Sequence, residues 1–312
     1  MNIALDMMGG DFAPLEAVKG VKLFLDEGHH NVHLTLIGDD RRLISLLKEH
    51  EINSDRISVV HSEQNIEMNE HPTKALKEKK QSSISIGFHL LSAEKTDAFI
   101  SAGNTGAMLV GALYSIKAID GVSRPAIGAY IPRENGNPSL LIDVGLNSDC
   151  KPENILQFAL LGSLYAEQIL NFKDPRVALV NVGAEEGKGN LLCQASYPLL
   201  KENPRLNFVG NAEGRHLLSD AADVYVCDGF TGNILLKFAE SFYDLIKKRK
   251  IEDEYFNLFN FEMYGGVPVL GVNKPVIIGH GISGSVAFCN MISIAKKMID
   301  NNFIEKIKTQ FI

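Results

Sequence analysis

Glycines and small polar residues gather at five places in this sequence, each directly after a strand-like apolar run. The turns read DMMGGD (6–11), SAGNTGA (101–107), DVGLN (143–147), NVGAEEGKGN (181–190) and CDGFTGN (227–233). The second leads into the helical run MLVGALYSI and the last into ILLKFAE. A helix start presents unpaired N–H groups and partial positive charge, so turns of this composition suit anions. Any one of them reads equally well as a tight turn. Five in one chain point to bound negative charge.

Other chemistries find less support. GKGNLL supplies Gly187 and Gly189 but has Leu192 where a dinucleotide fingerprint needs its third glycine, and no G-x-x-x-x-G-K-[ST] occurs. In GISGS (281–285), Ser285 stands where a nucleophile elbow needs a second glycine. There is no H-E-x-x-H, and His29, His30 and His33 sit in a polar turn that reads as a solvated loop, so no metal and no cofactor are expected. Cys150, Cys193, Cys227 and Cys289 form no C-x-x-C pair and no disulfide framework. What remains is a set of anion-binding turns with one lysine among glycines, Lys188. That suits a reaction whose nucleophile arrives with the substrate. Inorganic phosphate is such a nucleophile: already anionic, it needs positioning and charge compensation more than a base.

The turns must be held by a frame. Strand-like runs are expected at 3–6, 32–37, 57–61, 98–101, 126–132, 140–144, 176–182, 206–209, 223–227 and 276–278, with helical periodicity between them. Pro14, Pro72, Pro152 and Pro275 punctuate the elements. This alternation predicts an α/β fold of three layers, a mostly parallel sheet with helices on both faces. Ligands then collect where strands end and loops turn into helices. The 312 residues, 45% hydrophobic and 22% charged, suffice for one α/β domain over 1–312. Charged and aromatic residues crowd 246–266, which predicts a helical excursion at about 238–264. A net charge of −7 argues against nucleic acid. No apolar run reaches membrane-spanning length and no signal peptide is read, so the expected location is cytoplasmic.

Taken together, ALDMMGGDFAP, SAGNTGA, SRPAIG, DVGLN, FVGNAEGRHL, DVYVCDGFTGNILLK and YGGVPVLGVNKPVIIGHG resemble the bacterial phosphate acyltransferases of phospholipid synthesis, the PlsX type. The likeness runs in order from the first residues to about Ala295. It implies transfer of a fatty acyl group from acyl carrier protein to inorganic phosphate. It also implies a homodimer, a downstream membrane glycerol-3-phosphate acyltransferase, and a fold related to phosphotransacetylases and isopropylmalate-type dehydrogenases. Two features depart from the pattern: HGIS carries Ile282 where the family's H-G-S-S has its first serine, and the excursion after Lys237 is shorter than the expected helical hairpin.

Beside that resemblance, the residues themselves suggest a direct attack of phosphate on the thioester. In it Lys188 reads as a mobile ammonium or a solvated surface lysine, Asn233 as a donor or a plain helix cap, and His280 as a donor and proton shuttle or a satisfied buried histidine. Asn104, Thr105 and Gly106 would hold phosphate or the end of the carrier arm, with Thr231 and Gly232 assisting Asn233 at a helix mouth. Asp6, Asp11 and Asp143 belong to the same site; they would repel phosphate directly, so they are expected to orient lysines or backbone groups, or to cap helices. Lys247, Lys248, Arg249 and Lys250, followed by Tyr255, Phe256, Leu258, Phe259 and Phe261, form a basic and aromatic stretch. It could receive the acidic carrier, pack in a dimer, or touch the inner face of the membrane through 247–261. The main rival activity is a coenzyme A-dependent phosphate acetyl- or butyryltransferase. A metal-dependent dehydrogenase would need Asp143, Asp149 and Asp228 to cluster with arginines, of which only Arg215 lies near a glycine turn. A non-catalytic membrane scaffold would leave the five turns without a purpose.

Overall fold

A computed structural model of the chain describes residues 1–260 and 263–311. The chain divides into two compact units, 1–119 with 262–304, and 120–261 with 305–312.

In the first unit the chain runs β1 (Asn2–Asp6), α1 (Leu15–Asp26), β2 (His33–Gly38), α2 (Asp40–Glu49), β3 (Ile57–His61), α3 (Pro72–Glu78), α4 (Ser83–Ser92), β4 (Ala98–Ser101) and α5 (Thr105–Gly111). A wider π-helical turn, Ala112–Ile116, continues α5. The second unit contributes β5 (Ala126–Pro132), β6 (Pro138–Ile142), α6 (Pro152–Gln168), β7 (Arg176–Val180), α7 (Leu191–Lys201), β8 (Asn207–Ala212), β9 (Val224–Val226), α8 (Gly229–Arg249) and α9 (Glu254–Asn257). The chain then returns through β10 (Val267–Leu270), β11 (Val276–Ile278) and α10 (Ser285–Asp300), and ends in α11 (Phe303–Phe311).

The strands of the first unit lie in the order β3-β2-β1-β4-β11-β10, parallel apart from β10. Those of the second lie in the order β5-β6-β9-β7-β8, parallel apart from β5. β1, β4, β6, β7 and β9 are buried along nearly their whole length, as the near-continuous apolar runs require. All ten expected strands form. The strand not anticipated, β10, is four residues long and contains Pro268, which strand patterns disfavour. Pro72 and Pro152 open α3 and α6, where a missing N–H costs nothing. The excursion expected to leave the body at 238 does not begin there. α8 runs unbroken from Gly229 through Arg249, and Lys250 ends it in a left-handed conformation. Phe261 lies outside the described residues.

One charged network is buried in the second unit. Arg133, 1% exposed, donates from Nη1 to Asp223 Oδ1 (2.8 Å) and Asp220 Oδ1 (2.7 Å). Arg176 donates to the same two acids. Burial pushes the Asp223 carboxyl up, but the hydrogen bonds and charges of Arg176 and Arg133 outweigh it and leave it below its ordinary value of 3.8. A depressed carboxyl contributes stability above its unfolded value and loses that contribution as pH falls through the folded one. Asp223→Ala should cost about 3 kcal/mol, the low end for breaking a buried pair because Asp220 remains. Urea midpoints measured from about pH 7 down to about pH 2 should fall more steeply below pH 3.8 for the native chain than for Asp223→Asn.

Candidate functional site

The expected site residues fall into two clusters, one in each unit. In the first, the neighbouring parallel strands β1, β4 and β11 end on the same side of their sheet, so the turns after them meet. Asp6, at the end of β1, is fully buried. It accepts from the Ser101 hydroxyl at 2.6 Å and the Met8 amide at 2.9 Å. Ser101 in turn accepts from the Gly103 amide at 2.9 Å. Burial pushes the Asp6 carboxyl above its ordinary value despite these bonds. The two turns touch at Gly9, where a Cβ would stand 2.5 Å from the Gly103 nitrogen and 2.6 Å from Asp6 Oδ2. Only glycine fits. The Asp11 amide donates to the Gly281 carbonyl at 2.7 Å and ties the β1 turn to the β11 turn. His280 is half-buried in the latter, Ile282 is 54% exposed, and Ser283 keeps a buried hydroxyl without a hydrogen-bond partner.

Asn104 caps α5 by accepting from the Ala107 amide at 2.9 Å, while its Nδ2 donates to the carbonyls of Glu67, Met68 and Glu70. Its side chain therefore has no donor left for an anionic ligand. Asn104 fixes the turn and helix start. The amides of Thr105 and Gly106 and the exposed Thr105 hydroxyl keep no partner among the described residues. Because Asn104 is a neutral cap, no acid occupies that helix end.

In the second cluster, Asp143 follows β6 and is fully buried. It accepts from the amides of Ile127 (3.1 Å), Asn147 (2.7 Å) and Leu146 (3.4 Å), and from Asn147 Nδ2 (2.9 Å). Burial again pushes its carboxyl up against these bonds. Asp6 and Asp143 thus bind backbone and do not face a ligand. Asp11 lies exposed.

The start of α8 differs from expectation. Asp228 caps it, accepting from the Thr231 amide at 2.9 Å and the Thr231 hydroxyl at 2.8 Å. The Gly229 amide is taken by the Asn147 carbonyl at 2.7 Å, and Gly232 already bonds back to Asp228. An acid stands where an anion would bind, and both Thr231 donors are spent on it. Asn233 is not at the mouth of the helix; it is the fifth residue of α8. It is exposed and packs beside Gly145, and its amide has no partner among the described residues. Gly232 presses on the Asp143 carbonyl oxygen, where a Cβ would come within 1.8 Å. That contact seats the helix on the β6 turn.

Lys188 is exposed, and its ammonium pairs with nothing among the described residues. Its backbone is anchored: Asn181, at the end of β7, donates to the Lys188 carbonyl at 3.1 Å, and the Lys188 amide donates to Glu185. Sequence reasoning missed Asn181, although it is the first residue of the NVGAEEGKGN turn. It also missed Asp228 as the cap, a signal present as aspartate just before a helical run. A cavity of about 290 Å³ opens beside Thr231, with Leu179, Leu192 and Leu235 in its walls and Cys227 and Asp228 at its edge. Burial pushes the Cys227 thiol well above its ordinary value, and the charges of Asp228 and Asp143 add to this. Cys193, Cys150 and Cys289 are raised too, the last two to about 11 and about 12. None is a thiolate near neutral pH.

Among the described residues no histidine, cysteine and acid group could hold a metal. Asp143, Asp149 and Asp228 therefore form no metal set.

The family described as "Fatty acid synthesis protein" matches residues 1–254 and 245–306. Phosphate acyltransferase from Dictyoglomus turgidum is 42% identical over 326 residues, covering 98% of this chain and 96% of that protein. Phosphate acyltransferase from Dictyoglomus thermophilum is 43% identical over the same length and shares. Among solved structures, a phosphotransacetylase from Streptococcus pyogenes superposes with a TM-score of 0.66 at 17% identity, over 96% of this chain and 94% of its own. That likeness shows the α/β fold expected from the sequence. Matched along nearly its whole length, the chain belongs to the fatty acid synthesis protein family, in which these relatives carry the name phosphate acyltransferase.

Proposed function

We propose that the chain, an acyltransferase by family, moves a fatty acyl group from acyl carrier protein to inorganic phosphate and so supplies acyl phosphate for phospholipid synthesis. A phosphate oxygen attacks the thioester carbonyl, the C–O bond forms, the C–S bond breaks, and the carrier leaves as a thiol after taking a proton. The observation that carries this reading is Lys188: an unpaired ammonium on an anchored glycine turn, in a chain whose four thiols are all protonated. A mobile point charge of this kind compensates phosphate or the oxyanion developing on the carbonyl. The free amide of Asn233 is a second donor, and the unfilled amides of Thr105 and Gly106 are assigned to the carrier arm or phosphate. His280 is assigned to proton transfer to the leaving sulfur. The leucine-walled cavity beside Thr231 suits an aliphatic chain. The fold shared with phosphotransacetylases favours the coenzyme A-dependent alternative, and the two readings separate by acyl donor.

The same reading makes the protein a homodimer at the cytoplasmic face of the membrane. No helix among the described residues is long and apolar enough to cross a bilayer. Phe230, Ile234, Phe238, Phe242 and Leu245, spaced by three or four along α8, are all exposed, Phe238 at 62%. One apolar face of a 21-residue helix is the kind of surface a second copy covers. Tyr255 meets Phe256 at a tilted angle and Phe259 edge-on, and this cluster, beside the exposed Ile251, is assigned to surface contact with anionic lipid.

Mass spectrometry of products from the purified protein, phosphate and palmitoyl carrier protein should show acyl phosphate; product only from acetyl-coenzyme A would favour the alternative. Lys188→Ala and Asn233→Ala should each lower turnover about a hundredfold, the scale of one lost transition-state donor. Near-normal turnover in both rejects these assignments. F238D/F242D should sediment at half the mass of the native chain, and an unchanged sedimentation coefficient would place the dimer contact elsewhere.

A further inference from the structure

A groove of about 680 Å³ lies in the first unit between α3, α4 and the π-helical turn that extends α5. Its apolar lining includes Leu76, Ile86 and Val110, all half-buried; its cations are the exposed Lys77 and Lys80, and His89 lies beside them. No acid lines it. Serine, threonine and glutamine side chains complete it. Over residues 74–80 the sequence places four lysines against a single acid, Glu78, in a chain of net charge −7. Lys79 is paired with Glu70 at 2.6 Å, whereas Lys74, Lys77 and Lys80 have no partner among the described residues. Unpaired like charges packed this closely repel one another, so a fixed cluster favours an anionic visitor.

The π-turn is a second, independent sign. Such turns inside α-helices are rare and frequently mark functional sites. Here Ala112–Ile116 carries Tyr114 at 76% exposure into the groove lining. The groove also adjoins the turn whose amides are unfilled. Pro72, which opens α3, abuts Gly106, where a Cβ would meet Pro72 Cγ at 2.3 Å. From Thr105 to Val110 along α5 is about 8 Å at 1.5 Å per residue. A thioester arm leaving a protein seated in the groove would run beside α5 toward its N-terminal turn.

We propose that this groove docks the acidic protein that carries the acyl thioester, seating an acidic amphipathic helix of that partner with its apolar side on Leu76, Ile86 and Val110 and its carboxylates on Lys77 and Lys80. The inference rests on the donor named above. Insertion into lipid needs an apolar face that protrudes, and here Leu76, Ile86 and Val110 are half-buried beside Lys77 and Lys80. The basic run at 247–249 is a poorer candidate. It forms the last turn of α8, where cations offset the helix C-terminus, and Lys247 lies over the Tyr243 ring at 4.7 Å.

The test compares two acyl donors, palmitoyl carrier protein and palmitoyl-pantetheine. Lys77→Glu/Lys80→Glu should raise KM for the protein donor at least about tenfold, with kcat, KM for phosphate and turnover of the small thioester unchanged. The milder Lys77→Ala/Lys80→Ala should move the same KM in the same direction by less. Raising ionic strength from about 0.01 M to about 0.15 M should raise the native KM for the protein donor and leave the double-glutamate variant nearly flat. Lys247→Glu/Lys248→Glu should behave as the native chain. A native chain that turns over the protein donor while the Lys77/Lys80 variants keep its KM within twofold overturns the groove alone, as does an equal rise for both donors. A native chain inactive with the protein donor overturns the donor itself, and the docking proposal with it.

Discussion

A carboxyl group buried at the end of a strand must find hydrogen-bond donors to replace water, and Asp6 and Asp143 impose that constraint on the two turn clusters. Each draws the amides of its own turn inward: Met8 for Asp6, and Leu146 and Asn147 for Asp143. Each is then covered by backbone approaching so closely that a side chain is excluded. A Cβ at Gly9 would stand 2.6 Å from Asp6 Oδ2, and one at Gly229 would stand 2.8 Å from Asp143 Oδ2. The glycines that look from the sequence like a cradle for phosphate are thus required first by the protein's own acids.

That account changes where an external anion can be held. Asp228 and the Asn147 carbonyl take the donors at the start of α8, and Asn104 turns its whole side chain to protein groups. Among the described residues the donors that remain include the Lys188 ammonium, the Asn233 side-chain amide, and the amides and hydroxyl at Thr105 and Gly106. Turns consumed internally hold these remaining groups in place. A donor that need not reorganise stabilises developing charge better than one recruited during the reaction. The protonated cysteines point the same way, since a covalent relay through sulfur would need a thiolate.

Much of the fold was legible because buried parallel strands write themselves as continuous apolar runs, and VALVNV, DAFI and LLI could be little else. β10 was not, since four residues with Pro268 carry no such pattern and its partner β11 supplies the context. The site was half legible. Electrostatics argues that acids beside an anion must turn away from it; Asp6 and Asp143 lie buried among amides, whereas Asp11 is exposed. Their partners Ser101 and Asn147 are separated from them by 95 and 4 residues, and only the second could be read from one turn. Asn233 was misplaced for a local reason: two glycines before it read as a loop, yet Gly229 and Gly232 are helical because close packing against Asn147 and Asp143 outweighs their poor propensity.

The distribution of apolar and cationic groups on the surface obeys one distinction, between what protrudes and what is recessed. On α8, Phe230, Phe238 and Phe242 stand out from a helix with little beneath them, and only a face of matching shape can remove them from water. Around α3 and α4 Leu76 and Ile86 lie half-buried, and the exposed Lys77 and Lys80 line the same groove without partners among the described residues. The first arrangement gains by hydrophobic burial, which charge screening does not weaken; the second gains by charge and weakens as salt screens it. An acidic chain repels other acidic surfaces at long range, so any attraction for one has to come from a short stretch where cations are left uncompensated. In this sequence 74–80 has that property, whereas the lysines at the end of α8 already answer to the helix that carries them.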